Sequence, residues 1–401
     1  MPERGRRSRV RIVVLGGAGA MGRITVQDCL RTAPDDVQVV VADRDPTAAR
    51  GLGVQVIATD LADPASLRRT LAGAWATIAT LPYALNLVAM RGALAAGAHY
   101  VDLGGLFHVT REQLRLAPEF ERAGLMAILG MGSAPGILNV LAARAARRLD
   151  RVRAVHCMVG NVDRTRWKGA PPFGFSYAPE TLLDELVQAA AVFRRGAFRM
   201  VPALDPRERI RVRFPAPLGP LWLDTTLHSE VATLPNSFAD RGIREVTFRQ
   251  SFEPEFLEKL RFLVRLGLAD TKPLSAPASD RAVSPRQVLL ALLRRADPVR
   301  PLGRPQRHEV LRVVVHGSRG RRAVSVTADC TAGPSAGWGI GPDIDTGAPP
   351  AIVIQLLLRG EMPVRSGVWA PEQVVPPDAF VRELEARGMR VRERTRASRP
   401  R

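Results

Sequence analysis

The stretch VRIVVLGGAGAMG, residues 10–22, decides the fold. Its apolar run, residues 12–15, predicts a buried strand, and four glycines within the next seven residues precede the helical pattern ITVQDCLRTA. Strand, glycine turn and helix begin a dinucleotide-binding βαβ unit, in which glycines permit the tight turn, the approach of backbone to a pyrophosphate and close helix packing. The N–H groups at the helix start then face the phosphates. The alternative is a glycine-rich turn in another kind of α/β protein.

The glycines fit the dinucleotide-binding pattern in two registers. Gly17, Gly19 and Gly22 fit G-x-G-x-x-G, whereas Gly16, Gly19 and Gly22 fit the variant G-x-x-G-x-x-G. A second strand, VQVVVA, ends at Asp43, which lies 21 residues after Gly22. An acidic residue at about this spacing holds the ribose hydroxyls of the adenosine. The sequence therefore predicts a nucleotide-binding turn, with the choice of register open.

The predicted cofactor is NAD, with NADP also possible. The Asp43 carboxylate repels a 2′-phosphate, but Arg44 directly after it leaves NADP open. Asp60 ends a third strand, where it would meet the adenine amino group or belong to a helix N-cap. The turn after the fourth strand lies where the nicotinamide end is expected. The predicted cofactor-binding residues are Gly16, Gly17, Gly19, Ala20, Met21, Gly22, Asp43, Arg44, Asp60, Thr80, Leu81 and Pro82.

Composition predicts a soluble protein of two or three domains in the cytoplasm. The chain has 401 residues, of which 46% are hydrophobic, and no apolar run is long enough for a membrane span. The three cysteines are scattered, without metal-ligand spacing, so we expect no bound metal. The net charge is +19, but the two termini contribute +10 of it and no basic groove interleaved with aromatic residues is visible. We therefore expect neither a nucleic-acid nor a membrane partner.

The order of predicted elements gives an α/β Rossmann-type doubly wound parallel sheet plus an α+β catalytic domain with a mixed or antiparallel sheet. Strands and helices alternate through the first 137 residues. From Val152 onward, the pattern predicts mainly antiparallel strands bordered by Pro and Gly. The segment LHSEV is predicted to belong to one of these strands. The predicted segments are a disordered basic tail (1–10), a Rossmann domain (11–137), an α+β substrate and dimerisation domain (138–345), a C-terminal return onto the Rossmann domain (346–388) and a basic tail (389–401), which we also expect to be disordered.

Four segments together resemble the saccharopine dehydrogenase-like family. They are VDLGG at 101–105, APGILN at 134–139, PPFGFSYAPETLLDE at 171–185 and GVWAPEQVVP at 367–376. The likeness extends over most of the chain and looks closest to the bacterial lysine 6-dehydrogenase branch. It implies oxidoreduction at a CH–NH bond of an amino acid and a homodimer. The doubled glycine at 16–17, Leu106-Phe107 and Asn161-Val162-Asp163 depart from the family pattern, and the last two lie near the expected substrate end.

Amine oxidation needs a proton acceptor near the nicotinamide. Asp102, at a strand end, is the first candidate; the alternative is a structural carboxylate that holds the turn at Gly104 and Gly105. His228 is the second candidate, with Glu230 as a partner on the same strand face; the alternative is an exposed polar strand.

Five residues are predicted to bind substrate, each with a structural alternative. Tyr83 stacks near the nicotinamide or fills the sheet edge, and His108 lies over the crevice or caps a helix. Asn139 bonds to substrate or caps its own helix, whereas Gly104 and Glu230 accompany the two catalytic candidates.

Two other functions compete with an amino-acid dehydrogenase of the lysine or saccharopine type. The same fold serves relatives that reduce polyamine precursors or act as enoyl reductases. A protein that binds NAD(P) without turnover is the third hypothesis.

Overall fold

A computed structural model describes residues 9–169, 178–274, 282–295, 301–333 and 343–397. Most of the predicted N-terminal tail, the start of the segment 171–185 and residues 398–401 lie outside the described residues. Among the described residues, no helix is long and apolar enough to cross a membrane.

The N-terminal part of the chain alternates strands with helices. The strands are β1 Val10–Leu15, β2 Val37–Asp43, β3 Gln55–Ala58, β4 Ala76–Ala79, β5 His99–Asp102 and β6 Met126–Ile128; the helices are α1 Ala20–Thr32, α2 Pro64–Leu71, α3 Asn86–Ala95, α4 Phe107–Leu114 and α5 Ala117–Arg122. The six strands are parallel, in the order β3-β2-β1-β4-β5-β6. This is the doubly wound order whose ligand crevice lies at the carboxyl ends of the strands. It confirms the predicted Rossmann-type fold.

The middle of the chain forms a second, mixed sheet. Its elements are α6 Ile137–Ala146, β7 Arg151–Asp163, α7 Pro179–Val187, β8 Ala190–Arg194, β9 Ala197–Val201, β10 Ile210–Arg213, β11 Pro220–Thr225, α8 Glu230–Ser237, β12 Glu245–Gln250, α9 Pro254–Arg265, α10 Pro285–Arg295, β13 Arg307–Arg319 and β14 Arg322–Ala332. Helix α6 packs on β13 and β14, and its buried side chains share one core with those of β7 and α8.

The C-terminal part of the chain contacts both sheets. Its elements are α11 Ile344–Gly347, α12 Pro349–Leu358, β15 Gly367–Trp369, α13 Pro371–Val374, α14 Pro377–Ala386 and β16 Arg390–Ala397. Strand β15 adds to the parallel sheet beside β6, and α11 and α12 pack on α1. The chain therefore returns to the first domain before it ends in the second.

The expectation of a disordered tail at 389–401 is wrong for β16, which pairs antiparallel with β14. Two ion pairs explain why so basic a segment is ordered. Arg394 contacts Asp329 at 3.2 Å, and Glu393 contacts Arg148 at 2.6 Å from the opposite face of the strand. Cross-strand pairing with opposite charges offsets the repulsion between neighbouring arginines.

Two segments of the second domain differ from the predicted elements. The segment ETLLDELVQAAAVF was predicted as one helix, but α7 ends at Val187 and β8 follows, paired with β9 through a turn at Arg195-Gly196. Both turn residues have positive φ, 52° and 82°, as a two-residue hairpin of this kind requires. The predicted strand through LHSEV also ends early, since β11 stops at Thr225 and Glu230 begins α8. An acidic residue in a first helical turn is favoured by the helix dipole.

Candidate active site

The glycine turn after β1 folds tightly onto itself and onto the end of β4. Gly16 has φ +75°, and a Cβ there would lie 2.7 Å from the carbonyl oxygen of Thr80. A Cβ on Gly22 would lie 2.2 Å from the carbonyl oxygen of Gly16. A Cβ on Gly17 would meet the Val41 side chain at 3.0 Å and the carbonyl oxygen of Val14 at 3.2 Å, both longer than the backbone contacts at Gly16 and Gly22. The register Gly16, Gly19, Gly22 is therefore favoured, because its first position, Gly16, cannot carry a side chain without a clash with backbone.

Helix α1 begins directly at this turn. Gly19 is its N-cap residue and makes no side-chain cap, and the first turn holds no acidic residue. The amides of Ala20, Met21 and Gly22 are in the first turn, where N–H groups have no intrahelical acceptor. Such a helix start offers donors and a positive dipole end to a pyrophosphate. The turn thus has the shape and the charge for the phosphates of a dinucleotide.

Asp43, at the end of β2, contacts the glycine turn. Its Oδ2 accepts a hydrogen bond from the amide of Ala18 at 3.1 Å, and its Oδ1 accepts one from the amide of Asp45 at 3.2 Å. The carboxylate thus lies beside the phosphate-binding turn, as the ribose-binding prediction requires. Arg44 is exposed next to it.

Asp60 is exposed after β3, and its Oδ1 accepts a hydrogen bond from the amide of Ala62 at 2.9 Å. The N-cap of α2 is Asp63, whose side chain accepts from the amide of Ala65 at 2.8 Å. Asp60 therefore lies at the carboxyl edge of the sheet without capping the helix itself.

The turn after β4 lies against the glycine turn. The Thr80 hydroxyl donates to the carbonyl of Leu15 at 2.8 Å. A Cβ on Gly16 would also touch the Leu81 side chain, at 2.9 Å. Pro82 follows and opens the short helical turn that begins at Tyr83. Since β4 neighbours β1, this turn closes the nicotinamide side of the predicted cofactor site.

Tyr83 crosses from the first domain to the second. Its hydroxyl donates to Oδ2 of Asp184 in α7 at 2.8 Å, and Asp184 also pairs with Arg286 of α10 at 2.8 Å. Burial and the bond to Asp184 raise the pKa of Tyr83 to about 12. His108, exposed on α4, places its ring edge-on to the Tyr83 ring at 5.9 Å. Tyr83 and His108 therefore lie together where the domains meet.

Asp102 is fully buried and bound by four donors. Its Oδ1 accepts from the amides of Gly104 at 2.9 Å and Gly130 at 2.7 Å. Its Oδ2 accepts from Nε2 of Gln113 at 2.7 Å and from the hydroxyl of Tyr100 at 3.1 Å. Burial raises the pKa of Asp102 against these four bonds. This geometry favours the structural alternative over the role of proton acceptor.

Asn139 is also fully occupied by the protein. Its Oδ1 accepts from the amide of Gly136 at 3.1 Å, so it caps α6, and its Nδ2 donates to Glu372 at 2.8 Å and to Thr233 at 3.3 Å. The capping alternative accounts for these contacts. Gly104 is also bonded within the protein: its carbonyl oxygen accepts a hydrogen bond from Nδ2 of Asn86 at 2.9 Å.

His228 and Glu230 form a buried pair, although they do not share a strand. His228 lies in the loop after β11, its Nδ1 bonds to Oε2 of Glu230, and its ring stacks on Phe248 at 3.8 Å. Burial lowers the pKa of His228, but the charge and hydrogen bond of Glu230 outweigh it, so the net shift is upward. The exposed-strand alternative is wrong. A His–carboxylate pair is a chemically suitable general acid or base.

The surroundings of this pair are polar and incompletely bonded. Gln250 donates to Oε2 of Glu185 and to the hydroxyl of Thr226, each at 3.1 Å. Among the described residues, two buried oxygens of this loop and helix start have no hydrogen-bond partner: Ser229 Oγ and Glu230 Oε1. Buried polar atoms are rarely left unpaired. The cluster therefore has the character of a ligand site, and Glu185 follows directly after Asp184, the partner of Tyr83.

A second acidic pair was missed by the sequence analysis. Glu309, near the start of β13, and Asp345, in α11, are hydrogen-bonded to each other, and burial raises the pKa of both carboxyls. The neighbouring Asp343 pairs with Arg307 at 2.8 Å. Thirty-five intervening residues separate the pair in sequence, and Glu309 stands in the mixed polar start of β13, RHE, so no local signal marks it.

Two protein-family models together match nearly the whole chain. The one described as saccharopine dehydrogenase NADP binding domain matches residues 12–128, and the one described as saccharopine dehydrogenase C-terminal domain matches residues 132–389. The apo saccharopine dehydrogenase (L-Glu forming) from Saccharomyces cerevisiae has a similar fold. Its TM-score is 0.69 at 18% identity, with 96% of this chain and 99% of the yeast chain covered.

Among curated proteins, two kinds of relative are similar in sequence. The carboxyaminopropylagmatine dehydrogenase of Synechocystis is 25% identical over 303 residues, which are 70% of this chain and 72% of the relative. The carboxynorspermidine synthase of Vibrio alginolyticus is 27% identical over 176 residues, 44% of this chain and 40% of the relative. The chain thus spans less than half the length of the second relative.

Proposed function

This chain belongs to the saccharopine dehydrogenase family of NAD(P)-binding oxidoreductases, and we propose that it acts at the CH–NH bond of an amino-acid-derived secondary amine. The first substrate class that we propose is a carboxylated polyamine, a chain of amines joined to an amino-acid carbon. The observation that carries the proposal is the buried pair His228–Glu230, with its unbonded Glu230 Oε1, beside the junction of the two domains.

The residues of the first domain fit a dinucleotide. The glycine turn and the amides at the start of α1 would hold the pyrophosphate, Asp43 the ribose, and the turn from Thr80 to Pro82 would flank the nicotinamide. When bound, NAD(P) supplies the hydride acceptor or donor. Gly16 and Gly22 allow the turn to close, because a Cβ on either would meet backbone atoms of the protein.

The second domain supplies the proton chemistry in this proposal. For oxidation, the substrate nitrogen must be neutral; the C–H bond breaks as hydride leaves, the N–H proton passes to His228 and a C=N bond forms. Water then hydrolyses this imine to an amine and a carbonyl compound. In the reverse direction, His228 returns the proton as the imine is reduced. Glu230 holds the imidazole in orientation and favours its charged form.

The charge of the crevice supports a cationic substrate. Glu185 accepts from Gln250 and Glu230 bonds to His228, and Glu309 and Asp345 form a second acidic pair in the same domain. Carboxylates favour ammonium groups, which polyamines carry in number. The two curated relatives are named as a carboxyaminopropylagmatine dehydrogenase and a carboxynorspermidine synthase, and these names agree with this class.

The test is a spectrophotometric assay of purified protein, with NADH and NADPH in parallel. Carboxynorspermidine, saccharopine and L-lysine are offered with the oxidised cofactors, and the corresponding amine and carbonyl mixtures with the reduced ones. We expect turnover to be fastest with the carboxylated polyamine. Turnover with lysine or saccharopine alone would support the CH–NH chemistry but not the carboxylated polyamine. The substrate would then be the amino acid that the family resemblance of the segments at 101–105 and 134–139 implies.

The other two hypotheses have their own outcomes in the same assay. With an activated alkene added to the reactions with reduced cofactor, its reduction without reaction of any amine would indicate an enoyl reductase. Cofactor binding without turnover of any substrate would leave a binding protein, and both results would contradict the proposal. The variant His228→Ala serves as the control for catalysis, because it leaves every residue of the nucleotide-binding turn in place.

A further inference from the structure

The two acidic clusters lie on one face of the second sheet. Gln250 of β12 is in register with Val159 of β7, and two residues farther along β7, Asn161 is opposite Glu309 of β13. Residues two apart on a strand, and their registered partners, point to the same face. That face is the one covered by α6, because Val159 belongs to the same core as the buried residues of that helix. Gln250 and Glu309 are therefore two polar positions on this face, here called the floor, about 12 Å apart by strand spacing and rise, with the apolar Val159 and Leu311 between them.

The far end of this floor is closed by the first domain and by α11. Thr346 donates to Oγ of Ser133, in the loop after β6, at 3.0 Å, and the carbonyl of Gly347 accepts from the hydroxyl of Thr25 in α1 at 2.7 Å. Asp345 is thus held between the second sheet and the glycine-turn side of the first. The floor therefore carries Gln250, close to the pair His228–Glu230, at one end and Glu309, bonded to Asp345, at the other.

One oxygen of the second pair points to a ligand. Asp345 is 2% exposed, and its Oδ2 finds no hydrogen-bond donor in the described ranges of the chain. The nearby cation Arg307 is engaged by Asp343 through two bonds, at 2.8 and 3.2 Å. Two carboxyls this close cannot both be charged without a positive partner. A bound ammonium or guanidinium group would provide that partner.

We infer that Glu309 and Asp345 bind the distal cationic group of the substrate, while the reacting amine lies at His228 and Glu230. The inference rests on the proposed function and adds a length requirement to it. A substrate must carry a second cation far enough along its chain to reach from the Gln250 end of the floor to Glu309. A linear triamine meets this requirement, and a short diamine does not.

The experiment is calorimetric binding of norspermidine and of 1,3-diaminopropane to the protein saturated with NADP⁺. For the unaltered protein, we expect norspermidine to bind at least about tenfold more tightly, because only the longer amine reaches both clusters. Glu309→Gln and Asp345→Asn should each remove most of that difference and leave 1,3-diaminopropane almost unchanged. The matched control is Glu253→Gln, an exposed carboxyl in the loop after β12, which should preserve the difference.

Several results would overturn the inference. Equal affinity of the unaltered protein for both amines would do so without any variant, and so would no binding of norspermidine at all. If Glu253→Gln reduced the difference in affinity between the two amines as much as Glu309→Gln does, the carboxylates would attract cations only in a general way. Failure of the proposed function looks different: the affinity pattern would appear as expected, with no turnover of any amine.

Discussion

The hydroxyl of Tyr83 donates a hydrogen bond of 2.8 Å to Oδ2 of Asp184, and this bond joins the nucleotide-binding domain to the second domain. It lies beside the turn that flanks the predicted nicotinamide site and one residue before Glu185. The position of Tyr83 therefore couples the alignment of the cofactor half of the crevice to that of the proton-transfer half.

Tyr83→Phe removes this bond and keeps the ring. We expect a loss of about 1 kcal/mol in the free energy of unfolding and a fall in kcat of about tenfold, with cofactor affinity unchanged. Because the pKa of Tyr83 is raised to about 12, the phenol stays protonated through neutral pH, and the variant should keep the shape of the pH–rate profile. Urea unfolding and steady-state kinetics measure these effects. A changed profile would mean that the phenol itself titrates in the reaction.

Glu230→Gln should shift the pH dependence of oxidation to lower pH. His228 must be neutral to accept a proton, so the rate falls as pH drops below its pKa. In the unaltered protein that pKa is raised above 6.5, since Glu230 outweighs burial. Without the carboxylate, burial prevails and the pKa drops. The profile of kcat/KM between pH 5 and pH 9 records the shift, and His316→Ala, on another part of the sheet, is the control.

His228→Ala should lower kcat by about 10²- to 10⁴-fold, the usual contribution of a general acid–base residue. Cofactor affinity, followed by fluorescence titration, should stay within twofold of the unaltered protein. A variant that keeps full activity would remove His228 from the mechanism. In that case, the unbonded Glu230 Oε1 becomes the next proton acceptor to test.

The sequence predicts the first domain well because its fold depends on local signals. The glycine turn, the alternation of strand and helix, and Asp43 all fall within 34 residues, and each has a backbone reason that a pattern reveals. The second domain depends on contacts between distant segments. LHSEV reads as a strand by alternation, yet His228 lies in a loop because β11 ends at Thr225 and α8 begins at Glu230.

The two acidic residues of the missed pair illustrate the same limit. Glu309 lies near the start of β13 and Asp345 in the short helix α11, and no local pattern indicates that they meet. Their contact depends on β13 and α11 being brought together by the fold. The family resemblance was confirmed, whereas the lysine branch stays a prediction and the relatives found carry names of polyamine enzymes.

Asp43→Asn should change the cofactor preference without disturbing the turn. An Asn oxygen can still accept from the amide of Ala18, so the bond that positions the glycine turn is kept. Removal of the negative charge should improve the affinity for NADPH relative to NADH by about tenfold, since the carboxylate repels a 2′-phosphate and Arg44 stands beside it. Asp45→Asn, an exposed neighbour, controls for general charge. Equal changes in the two variants would place the ribose elsewhere.

Gly22→Ala should abolish cofactor binding, and Gly19→Ala should not. A methyl group at Gly22 would lie 2.2 Å from the carbonyl oxygen of Gly16, a backbone atom that cannot move without opening the turn. At Gly19 the corresponding contact is 3.3 Å, which a shift of a few tenths of an ångström relieves. We expect Gly22→Ala to lower the unfolding free energy by about 1–3 kcal/mol and to weaken NADPH binding more than 100-fold. Binding of NADPH by Gly22→Ala as tight as by the unaltered protein would mean that the phosphates do not lie on this turn, because the substitution deforms it.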